Sequence, residues 1–258
     1  MRVETERNIR LTLAYDGTDF LGWQEQAAGR TVQGVLAAAL AEIHGHPVAV
    51  VGAGRTDSGV HATGQVAHFR TDRASIPAER FRDAINAHLP RDARVLESSE
   101  AGPDFHARRS ALLRVYRYYL AFGPVWMPHL RNHCWWLRRR PDVAVLDSMA
   151  GVLVGEHDFT SFCSEGDASG SRIRAVRASS FHAEGAQIVY TVAANAFLWK
   201  MVRTVVGTCM ALEERGGDAA AMRRILDARD RSLAAGTAPA RGLFLERVIY
   251  HGEPGIAI

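Results

Sequence analysis

The sequence predicts an α+β fold made of two similar halves, and three observations carry that reading. Short stretches alternate apolar and polar residues with the period of two that half-buried strands show. Between them lie stretches whose apolar residues recur at helical spacing. The order in the first half is strand, helix, strand, strand, helix, strand, and the second half repeats it in part, as two split β-α-β units would. No residue-level repeat is visible, so the duplication rests on element order. A chain of 258 residues is long enough for one large domain or two modest ones.

Taken in order, "IRLTLAYD" (9–16) is a strand, broken by Asp16-Gly17-Thr18. Thr31 is placed to cap a helix over "VQGVLAAALAEI" (32–43). "VAVVGA" (48–53) and "QVAHFR" (65–70) read as strands. Pro77 stands at a favoured helix start for 78–89, and "ARVLESS" (93–99) closes the first half. "PDFHARRSALLR" (103–114) reads as a loop or linker, which sets the expected halves at 1–106 and 107–258. Beyond it, "VYRYYLAF" (115–122) and "HCWWL" (133–137) are strands, and Asp142 caps a helix over 143–153. A hairpin turns at Glu184-Gly185. Helices follow over 197–214 and 219–228, the first stopping before Gly216-Gly217. "LFLERVIY" (243–250) is the last strand.

Composition is that of an ordinary globular protein, 47% hydrophobic and 23% charged. The basic charge is almost all arginine, with Lys200 the single lysine. Guanidinium forks suit phosphate and stack on bases, which leans toward an anionic partner; a GC-rich genome would produce the same bias. Cys134, Cys163 and Cys209 are odd in number and far apart, with no zinc spacing and no disulfide framework, so a reducing cytoplasm is the expected home. The first residues, "MRVETERNIRLTLAY", lack an apolar core of signal-peptide length, and no uncharged run approaches the ~18 residues of a membrane span.

The most informative stretch is "GAGRTDSGVHATGQVAHF" (52–69). A dinucleotide fingerprint, GxGxxG, starts at Gly52 and Gly54, but its third glycine falls on Asp57, and a strand follows where a helix should. A Walker loop fits Gly54 and Gly59, but Val60-His61 replace its lysine and hydroxyl. A carboxylate in a phosphate cradle would repel the phosphate. Two readings remain. In one, the stretch is a glycine-rich turn with Asp57 capping its own backbone. In the other, the loop presents Asp57 as nucleophile or base, with Arg55 nearby to favour the ionised form.

The run "AGRTDSGVHATGQVAHF" resembles the signature of the tRNA pseudouridine synthases, in the class that modifies the anticodon stem-loop. "YDGTDFLGWQEQ" (15–26), "TVQGVLAAAL" (31–40), "DFHARRSA" (104–111) and "RVYRYYL" (114–120) resemble family segments in the expected order. So do "GEHDFTSF" (155–162), "ANAFLWKMVRTVVG" (194–207) and "AAGTAPARGLFLERVIY" (234–250). The resemblance implies the pseudouridine-synthase fold: two ferredoxin-like halves forming a continuous mixed sheet flanked by helices, with a central cleft. It implies an isomerase that converts uridine to pseudouridine at neighbouring positions of the anticodon arm, as a homodimer on tRNA, with no cofactor and no metal.

The same resemblance distributes roles. Asp57 becomes the essential carboxylate and Arg203 its basic partner. Tyr116 contacts the substrate base, Leu243 lines the pocket, and Arg55 holds the target nucleotide out of the stack. Arg108, Arg109 and Arg114, with the Arg138-Arg139-Arg140 run, are expected to grip RNA phosphates. Tyr118 and Tyr119 stay with the core, and His61, His106 and His157 with structural hydrogen bonding. Arg109 departs from the apolar or aromatic residue common in relatives, and 164–176 only loosely follows a loop that contacts RNA there. The alternatives are a non-catalytic tRNA-binding or chaperone protein on the same scaffold, and a glycosidase-like hydrolase, which would use two carboxylates; no second one stands near Asp57.

Overall fold

The computed structural model describes residues 6–254, in two compact units. The first runs to Leu112 and takes in Leu245–Pro254; the second is Leu113–Phe244.

In the first unit, β1 (Arg7–Tyr15), α1 (Val32–His44), β2 (Val50–Gly52), β3 (His61–Thr71), α2 (Phe81–Asn86) and β4 (Ala93–Ala101) follow one another in the predicted order. Strand β1 lies between β4 and β3, antiparallel to both, and β2 adds to β3. The period of two decides what faces the core: Ile9, Leu11 and Leu13 are wholly buried, while Arg10 and Thr12 point the other way. Opposite them on the same face stand Phe69, Ala67 and Gln65. Helix α1 contributes Leu36 and Leu40, and α2 contributes Phe81 and Ile85, all fully buried. Each such side chain stabilises the unit by ~1.5–3 kcal/mol. His44 ties helix to sheet, its two ring nitrogens bonded to the Leu40 carbonyl and the Thr71 hydroxyl at 2.8 Å each. Thr31 caps α1 by accepting the Gly34 N–H at 3.2 Å.

The helix expected over 78–89 is shorter than its apolar pattern. A 3-10 turn covers Ala78–Arg80, and α2 ends at Asn86. The Asn86 amide then bonds both the N–H and C=O of Val95 on β4, which pulls the chain off the helix path.

The second unit holds β5 (Leu113–Phe122), β6 (Trp135–Leu137), α3 (Val143–Gly151), β7 (Gly155–Asp158), β8 (Ile173–Glu184), β9 (Gln187–Ala194), α4 (Met201–Glu214) and α5 (Ala219–Ala228). Strands β5, β9, β8 and β7 pair antiparallel in that order, and β6 runs parallel to β5. Helix α3 packs on β8 and against α4 and α5. Helix α4 is apolar nearly all round, with Met201, Val202, Val205, Val206 and Cys209 buried.

Two elements differ from expectation. Strand β7 was not anticipated, because "GEHD" carries no apolar alternation; it forms by pairing with Ile173–Val176. Helix α4 begins at Met201 and not at 197, because Lys200 sits in the left-handed region at φ 60° and breaks the helical path. The last strand, β10 (Leu243–Ile249), passes from the second unit into the first, where it lies beside β3. Residues 107–112 also go with the first unit, contrary to the expected boundary at 106. The Leu112 N–H donates to the Ile249 carbonyl, and the Tyr250 hydroxyl donates to that of Ala107 at 2.7 Å. Among the described residues no helix is long and apolar enough to cross a membrane.

Candidate active site

Asp57 sits in the irregular segment 53–60 between β2 and β3, half-buried, with Arg55 and Ser58 exposed on either side. The segment is not slack. At its entry the Ala53 N–H donates to the Val66 carbonyl at 2.7 Å, and the buried Gln65 amide donates to the Gly54 carbonyl at 2.9 Å. Immediately before Asp57, Thr56 is buried and held twice. Its hydroxyl shares a hydrogen bond with the Tyr15 hydroxyl at 2.8 Å, and its carbonyl accepts the Trp23 N–H at 3.1 Å. Immediately after Asp57, the Val60 N–H returns to the Asp57 carbonyl at 3.1 Å, and the Gly59 N–H reaches the Phe20 carbonyl.

The clamp is therefore the stretch 15–23, the first of the subsidiary motifs. Its glycines are required by approach distance. A Cβ on Gly17 would fall 2.1 Å from the Val60 carbonyl oxygen; one on Gly22, where φ is +87°, would fall 2.6 Å from that of Thr56. Neither distance is possible for a real side chain. Burial pushes the Tyr15 phenol up to about 12, only partly offset by its bond to Thr56, so the hydroxyl stays protonated across the physiological range. His61, at the start of β3, is buried and accepts the Gly17 N–H on Nδ1 at 3.0 Å, with an Asp16 carboxylate oxygen 3.2 Å from the same nitrogen. What the first unit builds is a carboxylate on a short loop anchored before it by the buried Thr56 and after it by the Gly59 and Val60 N–H groups.

In the first unit Arg108 and Arg109 are both exposed, on a single turn organised by His106. The His106 Nδ1 accepts the backbone N–H of each arginine at 3.2 Å, and Ser110 returns the favour by accepting the His106 N–H. That ring lies 4.9 Å, centroid to centroid, from His68 on β3. Burial first, then the neighbouring positive charge, holds both imidazoles below the usual histidine range.

The second unit carries the other expected site residues. Tyr116, on β5 opposite Val192, is buried with its ring edge-on to Phe197 at 5.0 Å. Arg203, on α4, is half-buried. Its Nε donates to the Ala238 carbonyl at 2.8 Å, while the Ala238 N–H donates back to the Arg203 carbonyl at 3.0 Å. The segment 234–239 is drawn onto α4 by Gly207, where a Cβ would fall 2.0 Å from the Gly236 carbonyl oxygen. Tyr118 is wholly buried and donates to Pro239 at 2.7 Å, and burial pushes its phenol far up; it is a core residue that fixes the same segment. Leu243, at the start of β10, is buried.

Arg114 is buried and donates to the Asn195 carbonyl at 2.7 Å. Of the 138–140 run, Arg139 forks onto the buried Glu213 carboxylate, and Arg140 lies over the Phe122 ring at 5.3 Å. Both are therefore engaged within the chain. The clamp residues Tyr15, Phe20, Gly22 and Trp23 were not assigned a role from sequence. The signal was present, in the glycines and aromatics of "YDGTDFLGW", but only their contacts with 56–60 give it meaning.

A rigid loop carrying a carboxylate in an α+β chain defines an enzyme class only with its relatives beside it. The family model described as tRNA pseudouridine synthase matches residues 12–108 and 149–251, more than half the chain, and the chain belongs to that family. A protein of Treponema denticola called tRNA pseudouridine synthase A is 44% identical over 252 residues, covering 96% of this chain and 94% of its own. Proteins of the same description from Moorella thermoacetica and Solidesulfovibrio magneticus are 46% and 45% identical, covering 94% and 96% of this chain and 99% and 93% of their own.

Proposed function

We propose that the protein isomerises uridine to pseudouridine in the anticodon stem-loop of tRNA, acting on neighbouring uridines. The observation that supports this most is the loop at Asp57: it lies inside the matched region and is braced on both sides by buried contacts. The reaction breaks the N1–C1′ bond of uridine, turns the uracil and rejoins it through C5, with loss of the C5 proton. It needs a carboxylate at the sugar or base, a pocket that retains the detached ring, and an acceptor for that proton. Asp57 is the carboxylate. Arg203 is the basic residue assigned as its partner, a guanidinium favouring the charged form of a carboxylate. Tyr116 contacts the uracil, its ring stacking on the base and its hydroxyl relaying a proton, and Leu243 packs against the base.

Arg55, exposed beside Asp57, holds the target nucleotide out of its stack, a step that costs a few kcal/mol and least in a loop. Arg108 and Arg109, both exposed, meet the RNA backbone; Arg114, expected with them, is buried on the Asn195 carbonyl and is left out of that role. On this reading the first unit carries the catalytic loop, and Tyr116, Arg203 and Leu243 belong to the second. The working form is a cytoplasmic homodimer that needs neither metal nor small-molecule cofactor.

The test uses tRNA labelled with tritium at uridine C5. Tritium release with a new C-linked nucleoside supports isomerisation. Binding without release would make the protein a tRNA-binding or chaperone protein, and free uracil would make it a hydrolase. Arg203→Ala is expected to lower kcat by on the order of 100-fold or more with tRNA binding kept; a rate near wild type would remove Arg203 from the charge-pairing role.

A further inference from the structure

In the second unit, the segment leading into α4 has three features that the proposed chemistry leaves unused. Trp199 is 44% exposed, a large ring left in water. Lys200, the chain's single lysine, follows it with φ 60°, a left-handed conformation that costs a side-chain-bearing residue energy and persists only where its surroundings enforce it. Its ammonium lies 4.5 Å from the Trp199 ring centroid.

The enforcement comes from Asp167. Its side chain is 5% exposed although it belongs to an exposed loop. One carboxylate oxygen accepts the Trp199 N–H; the other accepts the Ser169 N–H and Arg172 Nη1, each at 2.7 Å. At the following peptide, the Ser164 N–H donates to the Trp199 carbonyl at 3.1 Å. Burial would raise the Asp167 carboxyl, but the bonds from Ser169 and Trp199 and the Arg172 charge hold it down to about 2. Two hydrogen bonds thus fix the backbone of one exposed tryptophan, and two more hold the buried carboxylate that makes one of them.

We propose that Trp199 and Lys200 form an RNA-contacting platform, the indole stacking on an unpaired base of the tRNA loop and the ammonium meeting an adjacent phosphate, with Asp167 as the positioning residue that sets the ring. An indole face accepts any base, and a cation beside it serves the backbone of the same nucleotide. The proposal rests on the reading of the protein as a tRNA-modifying enzyme and adds to it a contact on the second unit.

The experiment measures kcat and KM for tritium release from C5-labelled tRNA, with circular dichroism of each variant to confirm folding. Trp199→Ala is expected to raise KM roughly ten-fold with kcat unchanged, and Trp199→Phe to recover most of the loss. Lys200→Gln is expected to lower the slope of log KM against log salt by about one. Asp167→Ala is expected to raise KM in the wild-type background and to add nothing to Trp199→Ala, the non-additivity of two residues acting through one contact. If the wild type releases tritium and Trp199→Ala keeps its KM, the platform is wrong and the enzyme reading stands. If Asp167→Ala and Trp199→Ala multiply, Asp167 does not act through Trp199. If the wild type releases no tritium from tRNA, it is the enzyme reading that fails.

Discussion

Residues 53–60 of the first unit and 163–172 of the second are both irregular segments that position a functional side chain, and they are held by different forces. The Asp57 segment is clamped by neutral contacts: backbone N–H groups to carbonyls, a Tyr15–Thr56 hydroxyl pair, and glycines that admit another backbone to within a distance no Cβ allows. The Trp199 segment is clamped by charge, through a buried carboxylate and Arg172. Neutral clamps leave the local field to the reacting groups, which suits the role proposed for Asp57. A charged clamp is acceptable where the side chain being positioned carries no charge of its own.

The comparison breaks most readily at Gly22. Gly22→Ala forces a Cβ into the Thr56 carbonyl at a left-handed backbone position, so a stability loss of ~1–3 kcal/mol is expected. If Asp57 has the proposed role, displacing its carboxylate should also lower kcat by on the order of 100-fold. Thermal denaturation and single-turnover kinetics check both; an unchanged Tm and rate would mean that the loop is not held by that contact.

The two regions should also answer acid differently. His68 and His106 are held below their ordinary value of 6.5, so the folded first unit binds fewer protons there than the unfolded chain. Their contribution to stability is complete above that value and falls away as pH drops through it. Asp167 is held from 3.8 down to about 2, so its contribution is complete above 3.8 and is lost only as pH falls toward 2. From pH 7.5 down to 5.5, amide hydrogen-exchange protection factors, which remove the intrinsic pH dependence of the rate, should therefore fall around 104–110 and stay constant around 164–172. A fall at both, or only at the second, would contradict the assignment.

A smaller effect sharpens the picture of the RNA grip. Arg108→Ala and Arg109→Ala are each expected to lower the salt slope of tRNA binding by about one, with kcat unchanged. A slope identical to wild type in both would place the phosphate contacts elsewhere.

Much of this was legible in the sequence where a periodic signal existed. Ile9, Leu11 and Leu13 announce β1 by alternation, and Thr31 and Asp142 cap the helices they were expected to cap. The Asp57 loop was legible through its resemblance to a family signature; its residue types excluded a phosphate cradle but left a plain glycine-rich turn open. Strand β7 was not, since four polar residues form it by pairing alone. The start of α4 was not, since an apolar run through Phe197 and Leu198 continues the helical pattern that Lys200 breaks. The brace of Asp57 by 15–23 and the latch of Trp199 by Asp167 are contacts between residues some 30 to 40 positions apart in the chain. Such contacts leave no mark on local pattern, and only the folded chain displays them.

The central claim is that the Asp57 carboxylate carries the chemistry, and Asp57→Asn tests it most directly, because the amide keeps the shape and removes the charge. With C5-tritiated tRNA and no added cofactor, the wild type should release tritium and form the C-linked nucleoside. The variant should bind tRNA with similar affinity and release none above background. Tritium release by Asp57→Asn at the wild-type rate would contradict the account.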